Sequence, residues 1–458
     1  MSPWSGRRLH FVGIGGAGMS GLALVARALG AEVSGSDRAD SPYLEPLRAA
    51  GVEPAIGHDA AHLPAGAEVV VSTAIPEDNP ELAAARAAGA TVVHRGELLA
   101  EVGSLKPSIA VGGAHGKTTT ACMAAHVLLE TGRAPSYLIG GELRSTGLNA
   151  AWGKGEWIVV EADESDRSFL RLAPRVAVVT STELDHHSTY RSQLEIERAY
   201  SEFAAAAETA IAWEGAAVGG DALRYGIDAG ELRASGVALD AGGSRFEAEG
   251  VEFSLAVPGE HNVLNALAAV AACRAAGVEP AEAAPALATF PGARRRFERR
   301  GRTAAGAIVY DDYAHHPTEV RATLSAARTL GAARTIACFQ PHLYSRTRAL
   351  ARDFGRALSL ADVVCVLDVY PARELAADFA GVSGWLVAAA AADASGGRPV
   401  YWTPGMDDAE RLVTRLAGEG DVVLTIGAGD VDRLAERLAG PAADAGPPGA
   451  SPTEERAA

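Results

Sequence analysis

Gly112-Gly113-Ala114-His115-Gly116-Lys117-Thr118-Thr119-Thr120 follows the apolar run Ser108-Ile109-Ala110-Val111 and leads into the alanine-rich stretch Ala121 to Leu129. A glycine-rich turn between a buried strand and a helix lets backbone N–H groups converge on phosphate oxygens. The helix dipole, a lysine and a hydroxyl-bound Mg²⁺ then absorb the charge. The general pattern G-x-x-x-x-G-K-[ST] wants glycine at 111, where this chain has Val111, so the loop is shorter than the generic one. A bare strand-to-helix turn does not explain Gly-Lys-Thr at a helix start, and a nucleoside triphosphate is the expected ligand.

Acids stand at the ends of the strands expected beside this loop. Trp157-Ile158-Val159-Val160 ends in Glu161-Ala162-Asp163-Glu164-Ser165-Asp166, and Val176-Ala177-Val178-Val179 ends near Glu183-Leu184-Asp185-His186. Glu161 and His186 have the types and placement of magnesium ligands completing a shell begun by Thr118, although hard Mg²⁺ prefers oxygen and His186 is the less natural ligand. With Arg167 the only cation nearby in sequence, the crowded acids favour a metal; Asp163, Glu164 and Asp166 read equally as solvated loop charges or helix caps.

Upstream, Leu9-His10-Phe11-Val12 runs into Gly13-Ile14-Gly15-Gly16-Ala17-Gly18 and a helical stretch from Met19 to Leu29. This is the dinucleotide-fingerprint spacing. Asp37 ends the next strand, where an acid accepts hydrogen bonds from a ribose, and Val69-Val70-Val71 leads to the polar loop at Ser72 and Thr73. A diphosphate-containing ligand is expected here.

Downstream, Pro258-Gly259-Glu260-His261-Asn262-Val263-Leu264-Asn265 opens an alanine-rich helix, and Arg294-Arg295-Arg296 marks a boundary. Beyond it, strands at 308–310, 335–339, 363–367 and 422–425 alternate with helices. Asp311-Asp312-Tyr313-Ala314-His315-His316 follows one strand, and Gln340-Pro341-His342-Leu343-Tyr344-Ser345-Arg346 follows another. These are expected to be adjacent strands, whose ends put the two loops on one face and form a small-substrate pocket, with Arg346 as a carboxylate clamp.

The 458 residues suit two to four domains, and the alternation of apolar runs with alanine-rich helical stretches favours helix-flanked parallel sheets. No run of about 18 apolar residues suggests a membrane span. Met1 to Arg8 lacks the apolar core of an export signal, so a cytoplasmic protein is expected. Cys122, Cys273, Cys338 and Cys365 are far apart in apolar segments and read as buried thiols rather than a zinc site or disulfides. A net charge of -16 argues against nucleic acid as partner.

Taken in order along the chain, these residues resemble the Mur ligases of peptidoglycan synthesis. The resemblance runs from Leu9 to Leu438 and rests on His10 to Ser20, the phosphate loop, Glu161 to Asp166, His261 to Asn265, Arg295-Arg296-Phe297, Asp311 to Glu319, Gln340 to Thr347 and Gly427-Ala428-Gly429-Asp430. It implies an α/β protein of three domains: a Rossmann-like UDP-sugar domain at 1–106, a central P-loop ATPase-like domain with a parallel sheet at 107–297, and a Rossmann-like amino-acid domain at 298–440. A disordered tail at 441–458 is expected from its Pro, Ala, Gly and charge. The implied activity is ATP-dependent ligation of L-alanine to the lactyl carboxylate of UDP-N-acetylmuramate through an acyl phosphate, by a monomer or homodimer.

The family pattern makes Lys117 the γ-phosphate contact within a nucleotide cradle of Gly113, Gly116, Thr118 and Thr119. It makes Thr118 and Glu161 magnesium ligands, and His186 a metal or substrate contact. His261, Asn262 and Asn265 would hold the adenine side, while Arg296 and Asp312 would reach ATP from the linker and third domain. Tyr313, His315, His342 and Arg346 would surround L-alanine, with His115 also on substrate. Gly15, Gly16, Ala17 and Gly18 would take the UDP diphosphate, and Asp37, Ser72 and Thr73 would lie by uridine and sugar. Within the family, a ligase that adds a peptide to the same sugar is the rival reading; Phe339-Gln340-Pro341-His342 favours alanine. A nicotinamide dehydrogenase leaves the Lys117 loop idle, and a non-catalytic nucleotide-binding regulator does not need Lys117, Thr118, Glu161 and Arg346. Ala114, the run Thr180-Ser181-Thr182 and Arg373 depart from the usual pattern, where Thr, Thr-Asn-Ile and Gly stand.

Overall fold

The computed structural model describes residues 3–186 and 189–440, so the expected tail at 441–458 lies outside the described residues. The chain divides into two compact units. One takes the chain up to Ser235 with Glu247–Phe253 and Leu264–Ala293; the other takes Gly236–Phe246, Ser254–Val263 and the chain from Arg294 onward.

The first unit holds a five-stranded parallel sheet in the order Ala55–Ile56, Glu32–Asp37, Arg8–Val12, Glu68–Val71, Val92–His94. The order reverses direction at Arg8–Val12, and a chain leaving that strand opens onto the crevice where such sheets bind ligands. Gly13 to Gly16 is that chain. Gly35 allows the sheet to close behind it, since a Cβ there would lie 2.5 Å from the Phe11 carbonyl oxygen.

The same unit contains a second sheet, in which Leu223–Ile227, Thr209–Trp213, Val176–Val179, Ser108–Gly112, Ile158–Glu161, Ser136–Leu143 and Leu148–Ala151 lie side by side. All pair in parallel except the last two. The three central strands are apolar on both faces because helices cover both, and Ile109 to Val111, Ile158 to Val160 and Val176 to Val179 have no exposed surface. Their parallel direction sends three loops to one edge: Gly113 to Gly116, Ala162 to Asp166 and Thr180 to His186.

Lys106-Pro107 restarts the strand pattern without parting the core. Leu22 and Val25 of helix Ala17–Ala28 belong to one apolar cluster with Leu138, Ala150, Phe169 and Phe203 of the second sheet's layer. Gly21 sits at the crossing, where a Cβ would lie 3.1 Å from Ala150 Cβ.

The second unit is built on a six-stranded sheet ordered Glu298–Arg302, Ile308–Asp312, Val422–Ile426, Thr335–Phe339, Val363–Val366, Val400–Trp402, antiparallel only at the first pair. One sequence expectation is corrected here: the strands before the Asp311 and Gln340 loops are not neighbours, because Val422–Ile426 crosses over to lie between them. All three run parallel, so both loops still emerge at one end, joined by Gly427 to Asp430. Apolar clusters cover both faces of this sheet.

All four cysteines are buried free thiols, as expected. Cys338 and Cys365, distant in sequence, are direct partners in adjacent strands. No described helix is long and apolar enough to cross a membrane.

Candidate functional site

In the first unit the phosphate loop is shaped by two glycines that no other residue replaces. Gly113 has φ 129° and Gly116 φ 83°. A Cβ on Gly113 would fall 2.1 Å from Thr180 Oγ1, and one on Gly116 would fall 2.5 Å from Asn265 Oδ1. Thr180 donates its backbone N–H to Gly112 O at 3.0 Å, Ala114 N–H bonds Ser181 O at 3.2 Å, and His115 N–H bonds Ser181 Oγ at 2.9 Å. Ser181, a departure from the family pattern, thus holds the loop with its hydroxyl, and Ala114 costs no backbone donor. Helix Lys117–Glu130 starts from Gly116 without a side-chain cap, which leaves its first N–H groups and positive dipole end for an anion. Thr118 and Thr119 lie in its first turn.

Lys117 donates to Gly113 O at 2.6 Å, to Ala114 O at 3.3 Å and to the Glu164 carboxylate at 3.0 Å. Burial works against its charge, but Glu164, Asp163 and Glu161 outweigh it and hold the ammonium well above the ordinary lysine range. Glu164 is completely buried and its neighbour Asp163 is paired with Arg95, so neither is a solvated loop charge. Arg95 also binds Asp166, at 3.1 Å. The acids at 161–166 therefore have cations that sequence proximity did not reveal, Lys117 and Arg95, because strand order carries them in from 44 or more residues away.

Thr118 Oγ1 donates to Glu161 Oε1 at 3.1 Å, and Gly140 N–H binds the other Glu161 oxygen at 2.8 Å. A hydroxyl and a carboxylate side by side form an oxygen donor set that suits a hard divalent cation. His186 Nε2 lies 3.4 Å from Glu164 and 3.9 Å from Asp185, and together with Asp163 and Glu164 it forms a group close enough to hold a metal ion. Burial opposes its charge, but the hydrogen bond to Glu164 and the two carboxylates win and raise it above the usual histidine range. His115 Nε2 lies 3.0 Å from Glu183 Oε2.

Asn265 accepts from Thr120 Oγ1 at 3.2 Å and so braces the phosphate loop itself. His261 stands one turn earlier on the same face of helix Glu260–Ala275. Burial, aided by Arg296, lowers the His261 imidazole to about 4 and keeps it neutral. Asn262 donates its amide to Pro258 O at 2.8 Å.

At the first glycine loop, Asp37 accepts the Gly15 N–H at 2.8 Å and Ser41 donates to Gly15 O at 2.9 Å. Asp37 therefore ties down the loop from the neighbouring strand. Gly13 has φ 79°, and Ile75, just past Ser72 and Thr73, would lie 2.9 Å from a Cβ there, so the two loops touch. Helix Ala17–Ala28 has no side-chain cap at Gly16 and no acid in its first turn.

The second unit gathers the Asp311 and Gln340 loops as expected. The Tyr313 and His315 rings are 5.4 Å apart, His315 and His342 6.1 Å, and His342 Nδ1 lies 3.4 Å from Arg346 Nη1. Arg346 is only 7% exposed, and an arginine held that deep beside the His342 imidazole is placed for a carboxylate. Tyr370, not anticipated, stacks on His342 at 5.8 Å. Asp312 accepts from Phe297 N–H and Ala314 N–H, both at 2.8 Å. Burial pushes its carboxyl up to about 6 even though Arg296 and both N–H groups pull the other way. Arg296 lies 3.8 Å from Glu319 and over the Tyr313 ring.

Sequence reasoning passed over the role of Arg295, which binds Asp311 at 3.0 Å, Gly427 O at 2.8 Å and Gly429 O at 3.0 Å and lies 5.1 Å from the Tyr313 ring centre. The available signals were its place in the Arg294-Arg295-Arg296 run and in the Arg295-Arg296-Phe297 motif, neither of which gave it a partner. Arg373 does not strain its turn, because the left-handed conformation falls on Ala372, φ 50°. Glu374 next to it accepts from Ser345 N–H at 2.9 Å.

Family models match the chain in order: "Mur ligase family, catalytic domain" at 8–106, "Mur ligase middle domain" at 111–273 and "Mur ligase, glutamate ligase domain" at 295–429. A UDP-N-acetylmuramate–L-alanine ligase of Rubrobacter xylanophilus is 44% identical over 440 residues, 92% of this chain and 96% of the relative. One of Streptomyces coelicolor is 46% identical over 450 residues, 92% and 94% of the two chains. The crystal structure of the UDP-N-acetylmuramate–alanine ligase of Thermotoga maritima superposes with a TM-score of 0.82 at 29% identity, covering 94% of this chain and 98% of that one. A murein peptide ligase from Psychrobacter arcticus gives 0.70 at 26% identity, covering 94% and 98%. With three family domains matched in sequence order and relatives of this identity along nine-tenths of their length, the chain belongs to the Mur ligase family.

Proposed function

We propose that this protein joins the amine of L-alanine to the lactyl carboxylate of UDP-N-acetylmuramate, converting ATP to ADP and phosphate, in the synthesis of peptidoglycan precursors in the cytoplasm. The observation that carries the reading is the succession Tyr313, His315, His342 and Arg346, three rings in series that end on one buried guanidinium. The alanine ligases of similar sequence support the choice of amine.

A carboxylate is a poor electrophile, and phosphorylation gives it a leaving group for attack by the amine. Lys117 and the N–H groups of Gly113, Gly116, Thr118 and Thr119 would cradle the triphosphate, with Asn265, His261 and Asn262 toward the adenine. Thr118 and Glu161 would hold Mg²⁺, which when bound supplies positive charge against the phosphate oxygens. His186 would meet the metal or the sugar substrate, and His115 would meet anionic oxygens of the sugar substrate. Gly15 to Gly18 would take the diphosphate, with Asp37 fixing the loop and Ser72 and Thr73 toward uridine and sugar. Arg346 would clamp the alanine carboxylate, leaving the amine to face the activated carbonyl. Asp312 would hold Arg296 and the 295–297 linker for the nucleotide. The division of labour follows domains at 1–106, 107–297 and 298–440.

The test is phosphate release from ATP and Mg²⁺ with UDP-N-acetylmuramate and L-alanine, glycine, serine, a peptide or no amine. Release that depends on L-alanine, with a product heavier by one alanyl residue, is expected. Release that requires a peptide instead moves the protein to the recycling branch; none with any amine overturns the enzymatic reading.

A further inference from the structure

Arg95 opens helix Arg95–Ser104 at the carboxyl end of strand Val92–His94, the edge of the five-stranded sheet. Its Nη2 binds Asp163 at 2.8 Å and Asp166 at 3.1 Å, both in the loop beside the phosphate loop. Its Nη1 has no hydrogen-bond partner among the described residues, and it lies 3.3 Å from where a Cβ on Gly18 would stand. Gly18 is in the first turn of helix Ala17–Ala28. A guanidinium is thus held at the positive end of a helix, next to uncapped N–H groups, with donors unused. Asp163 and Asp166 take up Nη2 alone, and Nη1 and the helix N–H groups are all donors, so an acceptor with several oxygens can bridge them.

We propose that Arg95 is a further binding residue of the nucleotide-sugar site, taking the diphosphate at the Gly15 to Gly18 loop with Nη1. The proposal rests on the reading of that loop as a UDP-sugar site and names a contact that the glycine fingerprint does not contain. A diphosphate suits the place, since its several acceptor oxygens meet both the helix N–H groups and the planar fork. Asp163 and Asp166 aim the guanidinium, and Asp163 adjoins Glu164, the partner of Lys117. One side chain therefore links the diphosphate loop to the acids of the triphosphate loop.

Calorimetric binding of UDP and of uridine to the full chain, without metal, tests this. Arg95→Gln is expected to weaken UDP by about 10- to 100-fold, as for loss of a charge-assisted hydrogen bond, and to leave uridine within about twofold. Arg95→Lys, which keeps the charge and loses the fork, is expected to fall between. Asp166→Asn weakens the carboxylate brace but spares Nη1, and UDP is expected to stay within about threefold of wild type. UDP affinity unchanged in Arg95→Gln overturns the proposal, and so does a loss in Asp166→Asn as large as in Arg95→Gln, which would make Arg95 a structural brace. Wild-type protein that binds neither UDP nor uridine overturns the UDP-sugar reading itself, a different result from either.

Discussion

The phosphate loop of the first unit and the amino-acid cluster of the second occupy the same kind of place, the carboxyl ends of parallel strands, yet they are made of different material. The first is backbone: Gly113 and Gly116 in conformations closed to other residues, a helix start without a cap, and a single lysine held by Glu164. The second is side chain: two imidazoles, two phenol rings and a buried guanidinium drawn from three separate segments, at 313–315, 342–346 and 370. Backbone sites tolerate almost no substitution at their glycines. Side-chain sites lose one ligand's affinity at a time.

The largest effect is expected where one residue serves both the fold and the chemistry of the backbone site. Lys117→Ala removes the phosphate contact and the 3.0 Å partner of buried Glu164, leaving His186 at 3.4 Å beside it, a change that costs about 1–3 kcal/mol. Alanine-dependent phosphate release is expected to fall by at least about 10³-fold, with a lower melting temperature. Full turnover in this variant would break the comparison at its root.

Gly116→Ala forces a Cβ to within 2.5 Å of Asn265 Oδ1 at a left-handed φ. A loss of about 2–4 kcal/mol in stability is expected, with ATP affinity falling alongside. Calorimetry and a denaturant titration read the two together; a variant with normal ATP affinity would show that the loop does not depend on backbone shape.

Arg346→Lys addresses the other side. It keeps the charge and loses the bidentate fork, so the KM for L-alanine should rise by about 10- to 100-fold while the KM for ATP stays within about twofold. A rise in both would mean that the cluster is not a separable pocket.

The last expected effect is a pH slope, spread over about two pH units. Asp312 has its carboxyl near 6 in the fold against 3.8 when free, so between those values the folded state binds more protons than the unfolded one. Stability from this group is therefore greatest in acid and declines as pH rises from about 4 to 6, by on the order of 2–3 kcal/mol in all. Asp312→Asn is expected to flatten that part of the stability curve relative to wild type, as seen in denaturant midpoints across pH 4–7. Parallel curves for the two proteins would remove the shifted carboxyl from the account.

How much was legible follows the same division. Gly13 to Gly18 and Gly112 to Thr120 are contiguous, and their spacing alone implies strand, turn and helix. Glu164 was not legible, because an acid among four acids looks solvated until Lys117 is seen 3.0 Å away. Arg95 and Arg295 were hidden for the same reason: each meets partners 68 or more and 16 or more residues distant in sequence. Ser181 stood out only as a departure from the usual pattern, and in the fold its hydroxyl accepts the His115 N–H. The order of strands in the second unit was also beyond a linear reading, since the crossover that inserts Val422–Ile426 between two loop-bearing strands leaves no local mark.

By itself the sequence determined the α/β alternation, both glycine loops, the run of buried strands and the candidate chemistry at each strand end, because local backbone geometry demands those residue types at those spacings. Tertiary structure alone decided which charges are paired, which acids are buried and which loops share an edge. Coulomb and desolvation terms depend on distances across strands, and those distances exist only once the sheets have formed.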